Sequence, residues 1–177
     1  MLKVAIVGHS QVPRSLSVDN AEIRIFRAPG GKLENFHRDT RMKQVLSWRH
    51  DITYLWLGSN DVHPEVKILD LIEWNKAIAS EIEDKCGSKV IIVELERRIY
   101  PPERPLIDQR RYKQITRSVN RALLRCKKFF TITFNAERFV LSADGVHFEP
   151  QSRRAIENKF VESIQRQMRA RNVPKVE

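Results

Sequence analysis

The sequence predicts an α/β protein with a mostly parallel, five-stranded sheet covered on both faces. Three observations carry this. Strand-like apolar segments alternate with helix-length amphipathic segments along the whole chain. Most strand segments are short and nearly continuous in apolar residues, as strands buried on both faces are. Several stop at a glycine or a polar turn residue, where a parallel sheet gathers its loops on one edge.

The elements follow in order. Lys3 to Val7 form a buried strand ended by Gly8. Glu22 to Phe26 ("EIRIF") alternate polar and apolar and form the second, and "APGG" breaks the chain after it. Leu33 to Trp48 carry apolar residues at Leu33, Phe36, Val45 and Leu46 and read as mostly helical. Ile52 to Leu57 are the third strand, stopped by Gly58. Pro64 to Lys85 form a long helix with Val66, Leu69, Ile72, Ala77 and Ile82 inward. Val90 to Leu95 are the fourth strand, and the prolines of "RRIYPPERP" make a loop. Asp108 to Cys126 form a helix buried along Ile115, Val119, Ala122, Leu123 and Cys126. Phe129 to Phe134 are a short fifth strand. A last helix from Ser152 to Arg169 buries Ile156, Phe160, Ile164 and Met168.

A chain of 177 residues suits one domain, assigned to residues 1–172 with a short tail over 173–177. No segment reaches the roughly 18 apolar residues of a membrane span, and no signal peptide is visible. The expectation is a soluble protein of the cell interior, in the cytoplasm. Cys86 and Cys126 are far apart, with no CxxC or Cys/His cluster, so neither a disulfide framework nor a zinc site is expected. Cys126 lies on an apolar helix face and reads as a buried thiol. No G-x-G-x-x-G follows the first strand and no P-loop occurs, which argues against nucleotide binding.

Four strand-end or helix-start turns carry chemistry: Gly8-His9-Ser10, Pro29-Gly30-Gly31, Gly58-Ser59-Asn60-Asp61 and Asp144-Gly145-Val146-His147. Acyl transfer to a serine needs these residue types. A hydroxyl needs a base to take its proton, and His147 can be that base for Ser10. A carboxylate must hold the imidazole, and Asp144 lies three residues upstream. The oxyanion needs aimed donors: the Gly31 N–H, the Asn60 amide and the Ser10 N–H are candidates. Taken singly, each turn is an ordinary one. Together, and on one sheet edge, they form a set.

In these blocks, "VGHS", "PGGKL", "LGSND" and "DGVHF", the sequence resembles the SGNH hydrolase superfamily of GDSL-type lipases, esterases and acetylhydrolases, from about Val4 to Ile164. The resemblance implies a three-layer α/β/α sandwich of flavodoxin-like type. It assigns Ser10 as nucleophile, Gly31 and Asn60 as oxyanion donors with Ser10, and His147 with Asp144 as base and orienter. It implies a small ester or lipid substrate and no metal or cofactor. The chain departs from the pattern twice. His9 stands where the family often has Asp, and the glycine block is loose enough for Gly30 to take the place of Gly31. Short loops without an obvious lid suggest a short acyl group.

The net charge is +10, with an isoelectric point near 9.9, which favours an anionic partner. Lys113, Arg117, Arg121 and Arg125 recur one helical turn apart, away from the apolar face. Arg97, Arg98, Arg104, Arg110 and Arg111 precede them, and Arg153, Arg154, Arg166, Arg169, Arg171 and Lys175 follow. One such stripe is commonly a solvated face, but like charges at this spacing cost helix stability. The second reading is therefore a module binding RNA, DNA or an anionic membrane on an SGNH-like scaffold with weak or lost catalysis. A basic chain without a secretion signal is also similar to the esterase domains of some LINE-type retrotransposon first-open-reading-frame proteins.

Overall fold

The computed structural model describes residues 1–100, 107–133 and 139–171. Five strands, β1 (Leu2–Gly8), β2 (Ala21–Arg27), β3 (Ile52–Trp56), β4 (Lys89–Val93) and β5 (Phe130–Ile132), form one sheet in the order β2-β1-β3-β4-β5. Every neighbouring pair is parallel. The helices are α1 (Thr40–Lys43), α2 (Ile68–Cys86), α3 (Gln109–Arg125) and α4 (Pro150–Arg171).

Strand alternation divides the core into two layers. Ala5, Val7, Leu55, Leu57, Val90 and Ile92 pack with Leu71, Ile78 and Ile82 of α2 and Ile115, Val119 and Leu123 of α3. Val4, Ile6, Tyr54, Trp56, Ile91 and Val93 face the other way, onto Ile156, Phe160 and Ile164 of α4. This is the expected α/β/α sandwich. Each fully buried side chain of this size stabilises the fold by roughly 1.5–3 kcal/mol. Tyr54 takes its hydroxyl into the apolar layer by donating to Ser163 Oγ at 2.9 Å on α4. The chain leaves β1 toward β2 and leaves β3 toward β4, so its connections diverge between β1 and β3. That divergence opens a crevice at the carboxyl ends of the central strands.

Three expectations needed correction. Residues 33–48 are mostly turns, with helix only in α1 and a 3-10 turn at Gln44–Ser47. Their apolar side chains are buried from irregular backbone, and the Asp39 carboxylate starts α1 late by accepting from the N–H groups of Arg41 and Met42. The long helix starts at Ile68 rather than Pro64, and its phase differs: Leu69 is exposed and Ala77 is not inward. The buried face runs through Leu71, Ile72, Asn75, Ile78, Ala79, Ile82 and Cys86. Cys126 is only half-buried, because it is the C-terminal cap of α3 rather than part of its face, whereas Cys86 is the buried thiol. Phe134, Arg104, most of the proline loop and the 173–177 tail lie outside the described residues. No helix among the described residues is long and apolar enough to cross a membrane.

Candidate active site

Ser10 stands two residues beyond β1. Its Oγ lies 3.1 Å from His147 Nε2, and His147 Nδ1 lies 2.5 Å from Asp144 Oδ2. The first of these contacts joins residues 137 positions apart in sequence. The histidine loop is closed by an antiparallel bridge between Leu141 and Phe148 and by the Ser142 N–H donating to the His147 carbonyl at 2.6 Å. Gln11 ties it to the serine loop by donating from Nε2 to the Val146 carbonyl at 2.5 Å. Asp144 Oδ1 accepts the N–H groups of Val146 and His147, both at 2.9 Å, so the carboxylate is held by its own loop while Oδ2 faces the imidazole. Burial alone would raise the Asp144 carboxyl, but the His147 ring and these N–H groups outweigh it and hold it at about 2. Asp144 is thus ionised across the neutral range and suited to stabilise an imidazolium.

Gly145 lets this loop dock. Its φ is +68°, and a β-carbon there would sit 1.5 Å from the Ile99 carbonyl oxygen. The Ile99 N–H in turn donates to the Gly145 carbonyl at 2.8 Å. The histidine loop therefore lies backbone to backbone on the segment that follows β4.

The proposed oxyanion donors come together differently from the expectation. Ala28-Pro29-Gly30-Gly31 is a tight turn with proline second and a positive φ of 74° at Gly30. The Gly31 N–H closes it by donating to the Ala28 carbonyl at 2.7 Å, so that N–H is already engaged. Gly31 instead orients Asn60 through its carbonyl, which accepts from Asn60 Nδ2 at 2.9 Å and leaves the amide one N–H to donate. Among the described residues, the N–H groups of Ser10 and Gly30 have no hydrogen-bond acceptor. The "PG" dipeptide was the sequence signal for this turn, because proline and glycine in that order fix the third residue's positive φ and spend the fourth residue's N–H.

Asp61, next to Asn60, is almost completely buried. Its two oxygens accept the N–H groups of Leu33 at 2.9 Å and Glu34 at 3.2 Å, bracing the asparagine block against the glycine block. Burial pushes its carboxyl up to about 6, against these two hydrogen bonds, from an ordinary 3.8. Between those values the folded protein holds a proton that the unfolded chain has released. Stability from this group is therefore full at low pH and falls as pH rises through the window. Melting temperature measured from pH 4 to 7 should fall in the native protein relative to Asp61→Asn, whose own curve lacks this component. Parallel curves would contradict the assignment.

Below the serine loop lies a buried charged cluster that the sequence reading did not identify. Glu96 and Arg98 are nearly inaccessible. Glu96 Oε1 accepts from Arg98 Nε at 3.0 Å and Nη2 at 2.6 Å. Its Oε2 accepts from Trp56 Nε1 at 3.2 Å and from the Ser59 hydroxyl. The Tyr112 hydroxyl donates to the Glu96 carbonyl at 3.0 Å. Burial would raise the Glu96 carboxyl, but the His9 ring, Arg98 and these hydrogen bonds hold it well below the usual range. His9 is fully buried, with Nε2 3.3 Å from Glu96 Oε2 but off the line of a hydrogen bond, and its Nδ1 accepts the Gln11 N–H at 3.3 Å. That contact accounts for histidine at a position where a second carboxylate would face Glu96.

The basic stripe is exposed, as expected of a polar helix face. Lys113, Arg117 and Arg121 line a cleft of about 1100 Å³ with Arg97 and Arg98, while Arg125 lies beyond it.

No known family's sequence profile matches the chain, and no curated protein does. Solved structures do. A Mycobacterium smegmatis aryl esterase is similar over 93% of this chain and 99% of its own, with a TM-score of 0.73 and 15% identity. The Sinorhizobium meliloti carbohydrate acetylesterase Est24 is similar over 94% of this chain and 100% of its own, with a TM-score of 0.72 and 12% identity. A Bacillus subtilis protein is similar over 94% of this chain, with a TM-score of 0.68 and 19% identity, and this chain spans 56% of its length. Others include a GDSL-like lipase from Bacteroides thetaiotaomicron and a putative SGNH hydrolase from Slackia heliotrinireducens, and the fold of this chain is that of these neighbours.

Proposed function

We propose that the chain is a serine esterase that cleaves a carboxylic ester through an acyl-serine intermediate. The observation that carries this is the hydrogen-bonded series from Ser10 Oγ through both His147 nitrogens to Asp144. His147 Nε2 takes the Ser10 proton as Oγ attacks the carbonyl carbon, and Asp144 stabilises the imidazolium that results. The oxyanion rests on the free N–H of Asn60 and on the Ser10 and Gly30 N–H groups. His147 then gives its proton to the leaving alcohol. Water, deprotonated by the same base, releases the acid and restores Ser10. The reaction needs no metal or cofactor, and a short acyl group is favoured, in keeping with an acetylesterase among the structural neighbours.

An aryl phosphonate ester tests this directly. Attack by the nucleophile expels the phenol and leaves a stable phosphonyl adduct. Peptide mass spectrometry should find one equivalent on Ser10, and a series of acetate, butyrate and longer aryl esters should favour the shortest. A protein that remains unlabelled, or is labelled elsewhere, would sink the proposal.

The cleft along α3 favours a second reading, in which Lys113, Arg117 and Arg121 track an RNA or DNA backbone or meet an anionic membrane. A retrotransposon origin for the esterase itself draws on the same basic charge. Affinity for single-stranded RNA that falls steeply with salt and drops in a Lys113→Gln/Arg121→Gln variant would support it. Affinity unchanged by either treatment would remove it.

A further inference from the structure

A second group of cations lies on the β2 side of the candidate site. Arg27 ends β2, in register with Gly8 of β1. Its Nη2 donates to the Ser10 carbonyl at 2.9 Å, so the guanidinium lies against the nucleophile's own residue. Arg153, in the first turn of α4, donates from Nε to the Phe148 carbonyl at 2.8 Å, one residue beyond His147. Arg14 lies four residues after Ser10 and is exposed. The group is thus tied to both segments that bring Ser10 and His147 together.

Two independent features are left over once these bonds are made. Arg27 Nε is a buried donor without an acceptor, and an orphaned buried donor calls for an explanation such as a bound ion. The charges of the three arginines are also uncompensated: among the described residues no carboxylate pairs with any of them. Burial lowers the affinity of Arg27 for its proton, and the like charges of Arg14 and Arg153 lower it further. Holding the two carbonyls uses one donor of Arg27 and one of Arg153, out of five on each guanidinium. Arg14 and Arg153 are exposed, so their charges, together with that of the half-buried Arg27, are open to an anion arriving from solvent.

We propose that Arg14, Arg27 and Arg153 form an oxyanion-binding subsite beside Ser10, and that the substrate is an ester carrying a carboxylate or phosphate group near its scissile carbonyl. This rests on the serine-esterase reading for the identity of the substrate, but not for the binding of the anion. Guanidinium groups suit both anions, because their planar donors match paired oxygens.

The full chain and its Ser10→Ala variant are titrated with inorganic phosphate, followed by calorimetry. Hydrolysis is compared on three acetates: phenyl acetate, 3-carboxyphenyl acetate and the 3-phosphate ester of 3-hydroxyphenyl acetate. Phosphate should bind both proteins alike, and roughly tenfold more weakly after Arg14→Gln/Arg153→Gln. The native protein should prefer an anionic acetate by about tenfold in kcat/KM, and the higher of the two anionic rates identifies the group. That ratio should fall toward one in the double variant and in high salt. Because it is a ratio, a general loss of activity does not move it. Phosphate binding that ignores the arginines, or an anionic preference that survives their replacement, would overturn the subsite. Arginine-dependent phosphate binding in a protein that hydrolyses no ester would uphold the subsite and reject the esterase reading instead.

Discussion

Replacing Ser10 with alanine should lower the turnover of an aryl acetate on the order of 10⁴-fold or more, leaving the melting temperature nearly unchanged. Ser10 is half-exposed and, among the described residues, its hydroxyl hydrogen-bonds to His147 Nε2, so its removal orphans no fully buried group. His147→Ala should lose a similar factor. The Ser10→Ala/His147→Ala protein should be scarcely worse than either, because nucleophile and base act as a unit. Asp144→Asn should cost on the order of 10²- to 10⁴-fold, since it weakens the imidazolium and favours the wrong ring tautomer. Asp144 should add no inflection to the neutral part of the pH–rate profile, because its carboxyl is held at about 2. Steady-state rates over several protein preparations check all four. Residual activity in Ser10→Ala close to that of the native chain would mean that another residue is the nucleophile.

The largest effect on stability is expected at Glu96. Glu96→Met removes the acceptor for Arg98, Trp56 and Ser59 together and strands a buried guanidinium. Breaking a buried pair from one side costs about 3–5 kcal/mol, a large part of the roughly 5–15 kcal/mol that holds a domain together. Taking Arg98 away as well, in Glu96→Met/Arg98→Met, should restore part of that loss, because no unpaired charge remains. Chemical denaturation of the three proteins measures both quantities. A double variant no more stable than Glu96→Met would show that the hydrogen bonds, not the charge balance, govern the cluster. Turnover should fall with stability, since Glu96 touches His9, which precedes Ser10, and Ser59, which precedes Asn60.

The five strands and the Ser10, His147 and Asp144 series that the structure joins by hydrogen bonds were legible because their blocks are written locally. Apolar runs ending at Gly8 and Gly58 give the sheet and its loops, and Asp144 and His147 sit within one turn. The 33–48 segment was not legible, because Leu33, Phe36, Val45 and Leu46 are spaced like a helix face while tertiary contacts bury them from turns. Leu69 misled in the same way: it is exposed on α2, and the true face is set by what the sheet offers. Glu96 and Arg98 lie in "ELERR", a run that looks like solvated surface. Only the fold shows that this run passes beneath His9, where a charge must be paired to remain.

The docking of Gly145 on Ile99 bears on how this chain tolerates change. At Gly30 and Gly87 a side chain meets open space, so residues content with left-handed backbone, such as asparagine, can substitute there. At Gly145 even one methyl group would displace main chain from main chain. In a saturation library selected for ester cleavage, position 145 should therefore be as empty of substitutions as position 10, although its residue takes no part in the reaction. Selection would record an architectural joint with the signature of a catalytic group.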